Sequence, residues 1–412
     1  MTAHAAVARD EASRADSGYA WLRLAIAVLI STIGGVGMWS AQVALPSLQL
    51  EFGVTRADAT LPYTLAMLGF AVGGVVMGRL VDRFGIVLPI VIAALALGLG
   101  YVAAGSAGGL RDFALAYGLL IGFGSAATFG PLLADISHWF TRRRGIAVAI
   151  CASGNYLAGT VWPPVVQHFI ASNGWRATHI GVGLFCVLTM LPLAFALRRS
   201  LPRTHDATDA ARAAPGTLGL SPTALQWILA VAGVACCAAM SMPQVHIVAY
   251  CGDLGYGVAR GARMLSLMMA FGIVSRIGSG FIADRIGGLG TLLMGSLLQG
   301  SALVLYLLFN GLDSLYVISA LFGLFQGGIV PSYAIIVREY FSAREAGTRV
   351  GIVIMATVLG MALGGWMSGA IFDWTGSYRA AFANGIAWNL LNGVIALSLV
   401  LRRRRGGRPA LA

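Results

Sequence analysis

Apolar runs of about twenty residues, separated by short polar turns, recur along nearly the whole chain. A run of that length crosses a ~30 Å hydrocarbon core as a helix. The pattern predicts twelve spans, at 22–45, 59–81, 86–106, 112–137, 146–171, 178–198, 224–251, 263–283, 287–309, 315–336, 349–372 and 380–401. The polar intervals divide the chain into a tail (1–21), a six-helix bundle (22–198), a linker (199–223), a second six-helix bundle (224–401) and a basic tail (402–412). Composition agrees with this reading, since 58% of the residues are hydrophobic and 11% charged, against about a quarter charged in a soluble domain. An all-α polytopic membrane protein is the class expected.

The first twenty residues are polar and lack an apolar core, so they read as a tail and not as a signal peptide. The formal net charge of +12 raises the question of a polyanionic partner, and the distribution of arginines answers it. With the N-terminus inside, twenty arginines fall on the cytoplasmic side, six (Arg56, Arg111, Arg176, Arg260, Arg263 and Arg379) on the other, and Arg23 and Arg276 within spans. That bias is the positive-inside pattern and places both termini in the cytoplasm. It reports orientation, so no nucleic-acid partner is expected. All 28 basic residues are arginine, as in a GC-rich bacterial genome, so only histidine among the basic residues can carry a proton. Five cysteines lie within apolar spans without metal-ligand spacing, and neither a disulfide framework nor a metal site is indicated. Nothing in the chain resembles a catalytic constellation or a nucleotide loop, so neither an enzyme nor a cofactor is expected.

The two halves repeat. GRLVDRFG (78–85) answers GFIADRIG (280–287), Pro131 answers Pro331, WFTRRRG (139–145) answers YFSAREAG (340–347), and GWR (174–176) answers SYR (377–379). Parallel six-helix repeats imply an axis along the membrane normal and a substrate held between the bundles near the midplane. G-x-x-x-D-R-x-G after the second helix, present in both halves, resembles the signature of the major facilitator superfamily. The basic residues that usually follow it are absent after Gly85, where Ile86 and Val87 stand. Gly85 and Gly287 suit a tight turn. Asp82 and Asp284 can serve helix N-termini, and Arg83 and Arg285 are placed to pair with acids such as Asp135 or Glu339. The resemblance implies that these contacts hold one conformational state and break in another.

Three further stretches narrow the resemblance: WSAQVALPSLQLEFGVTRADAT (39–60), HIVAYCGDLGYG (246–257), and R-x-x-x-G-x-x-x-D from Arg276 to Asp284. Together they are similar to the monocarboxylate and oxalate–formate porter branch, in which the arginine of the eighth span binds the substrate carboxylate. The physics agrees. Arg276 lies eight residues before Asp284, about 12 Å inside the cytoplasmic end, where arginine costs about 2.5–3.5 kcal/mol and needs a cavity and a partner. Pairing with a neighbouring carboxylate is the alternative, and Asp135 is the one clear intramembrane acid. Where dicarboxylate relatives carry a lysine in the eleventh span this chain has Thr357, which points to a monocarboxylate. Trp39 stands where relatives have an aromatic. Asn155 and Tyr156 in the fifth span, His246 after Pro243, and Gln326 and Tyr333 around GGIVP complete the candidate substrate set. For the aromatics, helix packing competes equally with substrate contact, and His246 suits a backbone carbonyl as well as a substrate. Proton-coupled relatives have an aspartate where this chain has Gly272, so proton coupling stays open.

The expectation is a transporter for a small carboxylate in the bacterial inner membrane, monomeric in the lipid bilayer and working by alternating access. Efflux of hydrophobic compounds and a transporter-like sensor are the competing readings. Efflux usually needs an embedded acid, and a sensor needs an added domain or long tail.

Overall fold

The computed structural model describes residues 16–140, 142–199 and 218–406. Most of the expected N-terminal tail (1–15) and linker (200–217), and the end of the basic tail (407–412), lie outside the described residues. Among the described residues every regular element is helical. In chain order these are α1 (Gly18–Gly34), α2 (Val36–Phe52), α3 (Arg56–Ala59), α4 (Leu61–Phe84), α5 (Val87–Gly105), α6 (Leu110–Ala116), α7 (Gly130–Trp139), α8 (Arg144–Ala196), α9 (Pro222–Asp253), α10 (Val258–Leu308), α11 (Leu312–Gln326), α12 (Ile329–Tyr340), α13 (Ala343–Thr375) and α14 (Tyr378–Gly406). A π-helical turn at Tyr117–Gly122 continues α6, and a single helical turn at Phe123–Ala126 follows it.

Among the described residues ten stretches are long and apolar enough to cross a membrane. Two of them, α8 with 53 residues and α10 with 51, are twice the length a bilayer requires. Each is interrupted by a glycine with φ near 79° and ψ near 165°, Gly174 in α8 (79°, 161°) and Gly287 in α10 (78°, 170°). Dividing both helices there turns ten stretches into the twelve spans the hydrophobic pattern predicts. Large apolar side chains such as Leu119, Leu188 and Phe281 are about 70% exposed, although the interior is itself mostly apolar. An apolar exterior over helices of spanning length suits a hydrocarbon surrounding, and the chain is a multi-pass membrane protein.

The glycine closing each repeated motif takes the positive φ that a tight turn asks of it: 79° at Gly85 and 78° at Gly287. A side chain in this region costs roughly 1–3 kcal/mol. At Gly287 an added Cβ would also lie 2.8 Å from Arg403 Nη1. Gly287→Ala is therefore expected to lower unfolding free energy by about 1–3 kcal/mol, read by thermal unfolding in detergent. An unchanged transition would mean the turn is not strained.

The chain divides into two compact units: Met1–Val54 with Leu61–His205, and Thr55–Thr60 with Asp206–Ala412. The segment 55–60, expected as part of the first bundle, packs with the second unit, and buried Arg56 is the physical reason given below.

In the first unit the end of α1 and start of α2 are closely packed by small residues, where the helix is interrupted at Gly35. Its polar core is a chain of hydroxyls and a histidine. His179 Nδ1 lies 2.7 Å from the Trp175 carbonyl, which can only accept, so Nδ1 carries the proton. Nε2 then accepts from the Tyr117 hydroxyl at 2.9 Å, and Tyr117 and Tyr101 both meet Ser40 Oγ, at 2.9 and 2.6 Å. This chain ties α2, α5, α8 and the π turn together where apolar contacts alone would leave sliding freedom. In the second unit α9 is the central helix, buried along most of its length and packed mainly on α13 and α14. Its AVAGVACCAAMS run has no bulky residue before Met240, and small side chains are what allow close helix approach in lipid.

Candidate functional site

Each unit gathers part of the expected substrate set. In the first, Trp39 in α2 is buried and its indole N–H donates to the Asn155 carbonyl in α8 at 3.3 Å. Asn155 and Tyr156 are half-buried beside it. Trp162, about two turns on, donates to the Thr32 carbonyl at 2.7 Å, and Thr32 Oγ1 lies 3.3 Å from the Gly154 carbonyl. The interruption at Gly35 leaves Asn155 Oδ1 3.6 Å from where a Cβ would sit. The amide and indole therefore cluster where α1 gives way to α2.

In the second unit Arg276 is half-buried in α10. Ser275 beside it is buried, and Ser279 Oγ donates to the Arg276 carbonyl at 3.0 Å. The turn Gly327–Gly328 lies directly against this face. A Cβ at Gly327 would stand 2.5 Å from the Gly272 carbonyl oxygen and 2.8 Å from Ser275 Cβ, and one at Gly328 2.2 Å from Ser279 Cβ. Gln326, the last residue of α11, is thereby fixed next to α10 at the level of Arg276. Its Oε1 accepts from Gln244 Nε2 of α9 at 2.6 Å.

The remaining candidates are already engaged by protein groups. Tyr333 is fully buried and its hydroxyl donates to Asn392 Oδ1 at 2.9 Å. Thr357 is buried and its hydroxyl donates to its own helix at the Ile354 carbonyl, 2.7 Å away. His246 is fully buried: Nε2 lies 2.8 Å from the Gly365 carbonyl and Nδ1 3.3 Å from the Tyr378 hydroxyl. The carbonyl fixes the proton on Nε2, so Nδ1 accepts from Tyr378. That carbonyl is in α13 and is not the one that Pro243 releases in α9.

His246 ends a network that sequence reasoning missed. Arg56 in α3 is buried. Nη1 donates to the Tyr378 hydroxyl at 2.7 Å, and Nη2 to both oxygens of Asp253, at 3.2 and 3.0 Å. The guanidinium carbon lies 4.7 Å from the centre of the Phe372 ring. Asp373 accepts from the amides of Arg56 and Ala57 at 2.8 and 2.7 Å, satisfying the start of α3. Removing the guanidinium leaves Asp253 without its partner, and such losses cost about 1.5–3 kcal/mol. Arg56→Gln is expected to destabilise the protein by that amount, with Asp253→Asn close behind it. Thermal unfolding checks this; two silent variants would show that α3 is held by Asp373 alone.

The motif residues divide. Asp82, Arg83, Asp284 and Arg285 are exposed at the helix ends where they were expected, and the Arg83 guanidinium lies over the Phe84 ring at 5.2 Å. Asp135 is held by Arg23 and not by Arg83: Nε donates to Oδ2 at 2.7 Å and Nη2 to Oδ1 at 2.8 Å. Glu339 Oε1 accepts from the Gly288 amide at 2.9 Å and so caps the helix that starts after the Gly287 turn. The Arg23 pairing had a legible signal, since Arg23 and Asp135 are both charges within apolar spans. The Arg56 network had none beyond the polarity of its turn. Among the described residues no group of three His, Cys, Asp or Glu side chains is placed to hold a metal.

The sequence profile of the Major Facilitator Superfamily matches residues 27–318 and 291–411. Monocarboxylate transporter 13 of Bos taurus is 28% identical over 342 residues, covering 81% of this chain and 79% of its own length. Monocarboxylate transporter 11 of Homo sapiens is 26% identical over 422 residues, covering 96% and 85%. Among solved structures, a bacterial homologue of the human lysosomal transporter Spinster, in an inward-facing and occupied conformation, superposes with a TM-score of 0.71. It has 16% identity and covers 96% of this chain and 100% of its own. A point mutant of the nucleoside transporter NupG gives 0.71 at 13% identity, covering 92% and 99%. At these identities the two structures carry the fold alone.

Proposed function

Because the chain belongs to the major facilitator superfamily, a family of transporters and not of enzymes, we propose that it moves a small monocarboxylate across the bacterial inner membrane. It does so by alternating access, exposing its site to one side of the membrane at a time, with both termini in the cytoplasm. The observation that carries the reading is Arg276. A permanent cation sits half-buried in the eighth span, and its planar fork matches one carboxylate with two parallel hydrogen bonds. The similarity to monocarboxylate transporters supports the anionic substrate. Thr357 stands where dicarboxylate relatives carry a second cation, and one positive charge suits one carboxylate.

Trp39, Asn155 and Tyr156 contribute apolar surface and amide hydrogen bonds from the first unit, and Gln326 from the second. His246, Tyr333 and Thr357 act on the site by holding the helices that carry it. Asp82, Arg83, Asp284 and Arg285, with Asp135 and Glu339, bias the conformational cycle from the helix ends. The test is a binding screen of the purified protein against carboxylates of graded size and charge, repeated with Arg276→Gln. A ligand bound equally by both proteins removes Arg276 from the site. Uptake into proteoliposomes with and without a pH gradient decides coupling, because an unchanged rate excludes proton symport.

A further inference from the structure

Gln244 and Gln326 are 3% and 1% exposed, and a single hydrogen bond of 2.6 Å joins them. That bond uses one amide N–H and one amide oxygen. Gln244 Oε1 and Gln326 Nε2 remain buried without a protein partner among the described residues. Exchanging oxygen and nitrogen in both amides gives the same inventory, one acceptor and one donor unmet. Two apolar residues would fill this volume without any such deficit.

Position gives the deficit a meaning. Gln244 follows Pro243, which removes a helix hydrogen bond from α9. Gln326 ends α11 at the glycine turn pressed against Gly272, Ser275 and Ser279 of α10. Arg276 follows Ser275 on that helix. The pair therefore lies at the level of the guanidinium and within the same unit.

We propose that Gln244 and Gln326 form a specificity subsite that reads a neutral group of the substrate able both to donate and to accept a hydrogen bond, a hydroxyl or a primary amide. This deepens the proposed function and rests on Arg276 holding the carboxylate. A hydroxyl donates to Gln244 Oε1 and accepts from Gln326 Nε2, and both deficits close. A second carboxylate accepts from Nε2 but meets the lone pairs of Oε1, so the subsite also rejects dicarboxylates. That complements the missing second cation at Thr357.

The test uses matched acids on the purified full-length protein: butanoate, its 2-, 3- and 4-hydroxy derivatives and succinate, with benzoate and its hydroxy derivatives as a second series. At least one hydroxy acid is expected to bind about tenfold or more tightly than its parent, as a buried pair of hydrogen bonds allows. Gln326→Leu and Gln244→Leu are each expected to erase that preference, read as the ratio of hydroxy-acid to parent-acid affinity within each variant. Gln326→Met, close in volume to glutamine, serves if the leucine variant does not fold. Arg276→Gln is expected to weaken parent and hydroxy acid alike. If acids bind through Arg276 but the hydroxyl makes no difference, or the glutamine variants weaken both ligands equally, the subsite is wrong and the carboxylate reading stands. If affinity survives Arg276→Gln, or no acid of either series binds, both fall.

Discussion

Arg276→Gln is expected to bring carboxylate uptake down to the background of empty vesicles and to weaken binding by about 10²-fold or more. The estimate follows from two charge-assisted hydrogen bonds at about 1.5–3 kcal/mol each. Arg276→Lys keeps the charge but loses the fork, and an intermediate affinity is expected. Folding should not suffer in either variant. Glutamine and lysine both keep a polar side chain at this half-buried position, and thermal stability is expected to hold. Loss of binding with stability retained is the signature of a residue kept for its ligand. Loss of both would make Arg276 a structural residue.

The second large effect falls on stability and has the opposite logic. Arg23 is 1% exposed, and its guanidinium meets both Asp135 oxygens. Nη1 also donates to the carbonyls of Leu197 and Arg199, at 2.9 and 2.8 Å, so one side chain ties α1 to α7 and to the end of α8. The Trp139 ring lies 4.7 Å from the guanidinium carbon. Arg23→Met strands the Asp135 carboxylate beside two unpaired carbonyls, and breaking such a pair costs about 3–5 kcal/mol. The double variant Arg23→Met/Asp135→Leu removes both charges, and more than half of the loss is expected to return. Thermal unfolding of the three proteins in detergent measures this. A single variant as stable as the wild type would mean the pair is solvated and energetically silent.

The contrast between these two arginines shows what was legible in the sequence. Span number, the two-fold repeat and the motif glycines could be read from it because hydrophobic length and a missing side chain leave marks in one dimension. Gly174 in GWR and Gly287 in ADRIG look like turn residues even though the helices around them run on. Pairing was less legible. Arg23 and Asp135 stand 112 positions apart, and nothing local joins them. Their common depth in apolar spans was the available clue, and it pointed to a pair inside one bundle and not to the Arg83 contact the motif suggested. Gln244 left no trace, because a glutamine after a proline in an apolar run resembles many others until Gln326 is seen 2.6 Å away. Arg56 hid for another reason. It is one of six arginines that the charge pattern groups on one side, and only the fold distinguishes the buried one.

The central claim is that Arg276 holds a carboxylate, and a ligand-charge cycle tests it most directly. Affinity for butanoate and for its uncharged isostere butanamide, with benzoate and benzamide as a second pair, is measured on the wild type and on Arg276→Gln by titration calorimetry. The expected result is a wild-type preference for the acid of about 10²-fold that disappears in the variant while affinity for the amide stays within about twofold. The same preference for the acid in both proteins would contradict the claim.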